Sequence, residues 1–308
     1  MIAERSASVN RPFGVKRVMR LLERSRSSLY WARARRAVIP GPGHKRGPKT
    51  AYTDAELTEK IRAVLGVTPF VGEGHRKVWA RLRNQGVRTS KQRTLRLMRE
   101  AGLLAPGRAQ RTLGPRVHDG TITPEKPNVM WGTDATGVWT EREGMVTVFA
   151  VIDHATAECL GIHAAKYGTR FEALEPIRQG VRLIFGRYSP DVASGLQLRH
   201  DHGSQFVSDH FQSEIAFLGI ESSPAFVRAL DAAVSLGRTH EGNGCIERFF
   251  RTLKEQLLWV RSFADAEDVR RAVLEWIALY NENWLIERHG HRSPAAVRRE
   301  LLAVKVPA

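Results

Sequence analysis

Between Met145 and Ile152 only Thr147 interrupts an apolar run. A strand with one wet face alternates, whereas a run like this belongs to a central strand buried on both faces. The chain must therefore build a sheet with cover on each side, and the neighbouring sequence supplies the parts. Residues 129–140 read as a strand, joined to a second over 144–153 by the hairpin-like turn Glu141-Arg142-Glu143. Residues 160–165 complete a meander. The pattern then alternates: an amphipathic helix over 171–185, a strand over 196–201, a helix over 211–218 and a short edge strand over 220–223. Three strands followed by helix–strand alternation predict an α/β core around a mixed sheet. Further helices follow, one over 265–281 that packs Val269, Val273, Trp276, Ile277 and Tyr280, and a last one begun by Ser293-Pro294.

Charge is distributed unevenly along the 308 residues. The net is +16, yet residues 1–120 carry 27 Lys and Arg against 8 Asp and Glu, while residues 121–308 carry 21 against 24. So basic a front part calls for a polyanion, and a nucleic-acid backbone fits; the alternative is a solubilising basic arm. Two cysteines, Cys159 and Cys245, make neither a disulfide framework nor a zinc finger. No apolar run approaches the ~20 residues of a membrane-spanning helix. Residues 1–10 lack the apolar centre of a signal peptide. The expectation is a cytoplasmic protein with no membrane partner.

Inside the basic part, residues 15–23 and 25–30 have helical spacing, either as two small helices or as the tail of a helix-turn-helix. Residues 38–50 are a Pro/Gly linker with three cations. Thr53-Asp54-Ala55-Glu56 is a capping box, with Leu57, Ile61, Val64 and Leu65 behind it. A second helix is expected over 75–84 with Val78, Trp79 and Leu82 inward. A third, capped by Ser90, should bury Leu95 and Met98 and present Arg93, Arg96 and Arg99. Three short helices with a basic last member predict a small all-helical, helix-turn-helix-like domain, with those arginines as candidate DNA contacts. An ordinary solvated face is the alternative. Residues 102–128, with four Gly, four Pro and three Arg, read as an extended basic linker.

Three acids carry the chemistry. Asp134 lies in Val129-Met130-Trp131-Gly132-Thr133-Asp134-Ala135-Thr136, where an ionised carboxylate is costly unless paired or metal-bound. Asp201 ends a strand and leads into His202-Gly203-Ser204-Gln205-Phe206. Glu247 opens a helix launched by the turn Gly242-Asn243-Gly244. On that helix Ile246, Phe249, Phe250, Leu253 and Leu257 form the apolar stripe, and Glu247, Arg251 and Lys254 form a second stripe beside it. An acid above two cations suits holding a metal against a phosphate backbone. Two Asp and a Glu on two strands and a helix make an oxygen cage for Mg²⁺ (or Mn²⁺). Two such ions roughly 3.5–4 Å apart serve phosphoryl transfer. Other chemistries fit less well. His200, His202, His289 and His291 have no Cys to complete a zinc site. No Gly-x-Ser-x-Gly elbow surrounds Ser204, and no Gly-rich phosphate loop with Lys-Ser/Thr is present.

These residues resemble a known family. Trp131-Gly132-Thr133-Asp134, Asp201-His202-Gly203-Ser204-Gln205-Phe206 and Gly242-Asn243-Gly244-Cys245-Ile246-Glu247-Arg248-Phe249 are similar to motifs of bacterial insertion-sequence transposases of the IS-three family, in their larger reading frame with a retroviral-integrase-like core. Gly74-His75-Arg76-Lys77-Val78-Trp79, Tyr280-Asn281-Glu282-Asn283 and Ser293-Pro294-Ala295 extend the likeness from about residue 15 to 297. The resemblance implies a ribonuclease-H-like fold, a catalytic and metal-binding triad of Asp134, Asp201 and Glu247, and DNA strand cleavage and transfer. It implies double-stranded DNA as partner, both element ends and target, a smaller upstream-frame DNA-binding protein, and homo-oligomerisation on DNA. Arg251 and Lys254 would position phosphates, and Asn243 and Gln205 would orient substrate. The spacing departs from the family: forty-five residues separate Asp201 from Glu247, ten more than usual, and the surplus fits residues 230–240. That departure leaves two alternatives, an inactive DNA-binding competitor and a metal-dependent nuclease of the same fold. The expected division is basic helices and linker (1–50), helix-turn-helix-like domain (51–104), basic linker (105–128), integrase catalytic core (129–290) and C-terminal helix (291–308).

Overall fold

The computed structural model describes residues 4–37, 51–105, 123–224, 226–227, 240–241 and 243–303. Most of the two linkers and the surplus residues 230–239 lie outside the described residues. Two compact units are present, Met1–Ala51 and Tyr52–Ala308. The first holds α1 (Val15–Leu21) and α2 (Arg26–Ala37), with Val18 and Met19 buried.

The second unit begins with three helices. Thr53 caps α3 (Asp54–Val67) in the reciprocal way its sequence predicts: its hydroxyl accepts from the Glu56 N–H, and the Glu56 carboxylate accepts from the Thr53 N–H at 2.7 Å. After α4 (His75–Asn84) comes α5 (Lys91–Glu100), capped by Ser90. Leu57, Ile61, Val64, Val78, Leu82, Leu97 and Met98 form their shared core. Two details of the sequence reading shift. On α5 it is Thr94, Leu97 and Met98 that are buried, while Leu95 is half-buried. Trp79 is likewise half-buried, because its indole N–H donates to the Thr89 carbonyl at 2.9 Å and draws the ring toward the α4–α5 turn.

The sheet follows the order β3-β2-β1-β4-β5, built from β1 (Met130–Thr140), β2 (Gly144–Asp153), β3 (Cys159–Ala165), β4 (Gln197–His200) and β5 (Glu221–Pro224). The first three strands run antiparallel, and β4 and β5 run parallel to β1. This mixed five-stranded sheet is ribonuclease-H-like. Alternation along β2 explains its apolar run. Val148, Ala150 and Ile152 face α8 (Gly244–Leu253) and α9 (Ala266–Asn283), while Phe149 and Val151 face α6 (Arg170–Phe185) and α7 (Asp209–Phe217). Every one of these five is fully buried, and a fully buried side chain of Val or Phe size contributes about 1.5–3 kcal/mol. A short pair, β6 (Phe226–Val227) with β7 (His240–Glu241), precedes α8.

Backbone approaches are close at one point on the α6 face. A Cβ on Gly161 of β3 would run into the Pro176 carbonyl of α6, so only glycine fits there. The outer edge of β3 is covered by side chains. The Asn281 amide of α9 accepts from the Cys159 N–H at 2.9 Å and donates to its carbonyl at 2.8 Å. Gln179 accepts from Ile162 N–H, and Arg270 donates to the Ala164 carbonyl. Finally α10 (Pro294–Ala303) returns to the sheet, and its Arg298 enters the space between Asp153 and Glu158.

Candidate active site

Parallel pairing of β1 and β4 sets Gly132 beside Arg199. Two residues further along each chain stand Asp134 and Asp201, so the register brings the two acids to one level of adjacent strands. Asp201 follows the last residue of β4, where the chain turns away. Its Oδ1 accepts the Gly203 N–H at 2.8 Å, which fixes the carboxylate inside the turn. His200 anchors the strand end from the other side: its Nδ1 lies 2.6 Å from the Asp201 carbonyl and its Nε2 3.0 Å from the Ser222 hydroxyl of β5. Burial holds the His200 pKa below its ordinary value. Gln205, half-buried in the same turn, places its amide beside Gly203.

Helix α8 brings the third acid. Ile246, Phe249, Phe250 and Leu253 are buried as the stripe predicts. The stripe then slips by one residue. Lys254–Leu258 form a π-turn, which adds a residue to the turn, so Leu258 is buried and Leu257 only partly so. Asn243 starts α8 but caps nothing. It is 2% exposed, and its Nδ2 donates to the Thr133 carbonyl at 3.1 Å, one residue before Asp134. Its side chain thus serves the junction of β1 and α8 rather than a surface. Gly132 makes room for that junction: a Cβ there would stand 2.9 Å from Asn243 Oδ1 and 2.5 Å from His154 Nε2.

Electrostatics tie the three acids together. The Asp134 carboxyl is pushed up to about 6, chiefly by burial and further by the charges of Asp201 and Glu247; the Ala135 N–H and Lys254 act against this. Asp134 therefore feels both other acids and one of the two helix cations, Lys254. Glu247 itself is exposed in the first turn of α8. Arg251 is exposed and bonds Glu255 at 3.0 Å.

The candidate DNA-contacting arginines of α5 stand in the helical domain, not with these acids. Arg93 and Arg96 both reach back to Asp54 at the start of α3, at 2.6 Å each, and Arg96 also meets Glu100 at 3.0 Å. Arg99 is exposed. The surplus at 230–240 falls outside the described residues except for His240 in β7.

Among the described residues, no three His, Cys, Asp or Glu side chains are gathered tightly enough to hold an ion as they stand. The donor set nevertheless suits a hard divalent cation. It offers carboxylate oxygens alone, and a cation offsets both the burial that chiefly raises Asp134 and the added charge of the other two acids.

Two family models match the chain in order, "HTH-like domain" over residues 54–111 and "Integrase core domain" over residues 233–294. Along almost its whole length the chain is similar to Transposase InsD for insertion element IS2A/D/F/H/I/K of Escherichia coli, 25% identical over 301 residues covering 96% of this chain and 94% of that one. Its likeness is thus to insertion-sequence transposases along nearly the whole chain, with an HTH-like match in front of an integrase-core match. Transposase InsD for insertion element IS2-9 of Escherichia coli (strain K12) is 25% identical over the same share of this chain and 92% of its own. Among solved structures, the simian T-cell lymphotropic virus intasome in complex with PP2A regulatory subunit B56 gamma overlaps 80% of this chain and 74% of that chain, with TM-score 0.44 and 17% identity. The HTLV-2 integrase catalytic core domain in complex with magnesium overlaps 56% and 97%, with TM-score 0.39 and 16% identity. No helix among the described residues is long and apolar enough to cross a membrane.

Proposed function

We propose that this chain is a transposase that cuts and joins DNA as a metal-dependent polynucleotidyl transferase, with Asp134, Asp201 and Glu247 as its catalytic, metal-holding acids. The observation that carries the reading is the β1–β4 register, which brings Asp134 and Asp201 to one level of adjacent strands; there burial raises the Asp134 carboxyl, and the charges of the other two acids add their mutual repulsion. A fold keeps such mutual repulsion where a bound cation offsets it. Mg²⁺ or Mn²⁺ suits the all-oxygen donor set, and two such ions bound there supply the charge that activates a water or 3′-hydroxyl and stabilises the leaving oxygen. The chain's own groups do the rest. The Gly203 N–H keeps the Asp201 carboxylate aimed. Lys254, whose field already reaches Asp134, sets a DNA phosphate beside the acids. Arg251 exchanges Glu255 for phosphate when DNA arrives, a cheap exchange for an exposed pair.

The substrate is double-stranded DNA, both element ends and target, handled in the cytoplasm by more than one copy of the chain and together with a smaller upstream-frame protein. Arg99 supplies phosphate contact from the helical domain, while Arg93 and Arg96 act there only by leaving Asp54. The test is Mg²⁺- or Mn²⁺-dependent joining of a 3′-OH element end into target DNA, wild type beside Asp201→Asn. Joining by wild type and its loss in the variant, by at least roughly a thousandfold, is the expected outcome. Nicking without joining would identify a nuclease. Binding with no chemistry at all would leave a competitor or a missing upstream-frame protein, and removal of residues 230–239 would then separate the two.

A further inference from the structure

Helix α8 does not end freely after Leu253. Its π-turn meets the loop between α3 and α4, and that loop is fastened to it. Gln256 Oε1 accepts the Val71 N–H at 2.9 Å, and Gln256 Nε2 donates to the Val71 carbonyl at 2.9 Å. A side-chain amide that pairs both groups of one residue fixes height and roll together. Next to Val71, Phe70 leaves the helical domain altogether. It is 4% exposed, belongs to the apolar cluster that contains Phe249, Phe250 and Leu253 of α8, and meets Trp284 edge-on at 4.8 Å. Glu73, 3% exposed, stiffens the loop. Arg81 of α4 holds it at 2.5 and 2.8 Å and also donates to the Asn283 carbonyl at 3.1 Å. A more distant tie, Arg76 to Glu287 at 2.8 and 2.9 Å, is exposed and touches no part of α8.

At its other end α8 is held by Asn243 on Thr133. A ten-residue helix has little stability of its own. Its orientation is set by what grips it, and a roll of one residue, about 100°, would turn Glu247 away from β1. We propose that the Phe70–Val71 loop of the helical domain is a positioning element for Glu247, acting through Gln256 and the π-turn to hold α8 in register with Asp134 and Asp201. The proposal rests on the strand-transfer reading for its catalytic consequence. Its structural part, that the loop sets α8, stands on these contacts alone. It places the DNA-binding helices and the third acid on one continuous lever, so that movement of the helical domain on DNA reaches the chemistry through two residues that touch no substrate.

The test uses the full chain as Gln256→Ala and Phe70→Leu, the latter keeping most of the buried volume, beside Arg76→Gln as the tie that avoids α8. Amide hydrogen exchange across residues 246–253 is read without DNA or metal, and joining is read with kcat and the KM for DNA separated. Gln256→Ala should speed exchange across α8 and lower kcat roughly tenfold at unchanged KM, as a small misplacement of a catalytic group does. Phe70→Leu should follow in the same direction with a smaller effect, and Arg76→Gln should do neither. Exchange in α8 that is unchanged by Gln256→Ala overturns the proposal. So does an effect confined to KM, which would make the joint a DNA grip alone. If wild type joins no DNA, the transferase reading falls, and the exchange comparison still decides whether the loop holds α8.

Discussion

Asp153, at the end of β2, is wholly buried and surrounded by donors. Its Oδ1 accepts the Thr156 N–H at 2.9 Å, and its Oδ2 accepts the Asn128 N–H at 2.7 Å and Arg298 Nη2 at 3.3 Å. Asp134, on the neighbouring strand, is only half-buried, yet it receives one backbone N–H and the repulsion of two more carboxylates. Both are aspartates on central strands of one sheet. The first has been given everything a buried charge needs, and α10 is pinned to the sheet in return. The second has been left short of positive charge by its own fold. Burial alone therefore does not separate a structural acid from a candidate catalytic one; the sign of what surrounds each differs.

The sharpest way to break the comparison is to strip Asp153 of its cation. Arg298→Ala leaves the buried Asp153 and the half-buried Glu158 without their guanidinium, and should cost about 3–5 kcal/mol in urea unfolding. A smaller cost would mean that the backbone donors suffice and that the contrast is overstated.

Asp134 should respond in the opposite direction. Its folded pKa of about 6 lies above the ordinary 3.8, so the folded state binds the extra proton between those values. Stability is lost as pH rises through that window, and the full penalty is present above about pH 6. Asp134→Asn should therefore stabilise the metal-free protein by roughly 2 kcal/mol at pH 8, after allowance for partial exposure, and the gain should vanish by pH 4. Urea midpoints at the two pH values check this. In the same variant joining should be lost, and in wild type joining should rise with pH through about 6. Destabilisation at pH 8 would mean that Asp134 is a structural acid like Asp153.

The smallest effect belongs to Asp54, a half-buried acid between two cations. Arg93 and Arg96 hold its carboxyl below the usual carboxylate range. Asp54→Asn should cost only about 1 kcal/mol, most of it at low salt. Duplex binding measured by anisotropy should hold or tighten, since both arginines are released. Weaker binding would show that the Asp54 brace presents the arginines rather than withholding them.

How much of this was legible in the sequence depends on the range of the interaction. The capping box at Thr53, the doubly buried β2 run and the α8 stripe up to Leu253 are local patterns, and the structure repeats them. Leu257 and Leu258 exchange places because a π-turn changes the helical period, which no regular template contains. On α5 the phases 95/98 and 94/97/98 are both available to the sequence, and the choice belongs to α3 and α4. The arginines of α5 look outward by spacing, but their partner Asp54 lies some forty residues upstream. Phe70, Gln256, Asn281 and Arg298 show nothing locally, because each acts on an element more than a hundred residues away. The motifs single out the three acids as candidates, and the register sets Asp134 level with Asp201; that Asn243 is spent on Thr133 was not readable, since a turn asparagine looks like any other.

The outer strand β3 has given up its edge. The Cys159 N–H and carbonyl, the Ile162 N–H and the Ala164 carbonyl are occupied by the side chains of Asn281, Gln179 and Arg270, as if a sixth, discontinuous strand lay beside it. A neighbouring molecule that arrives at this side finds no row of open amides to extend. A second copy that met this border would do so through helix surfaces and side chains, contacts that can be made and released without threatening the sheet with runaway polymerisation.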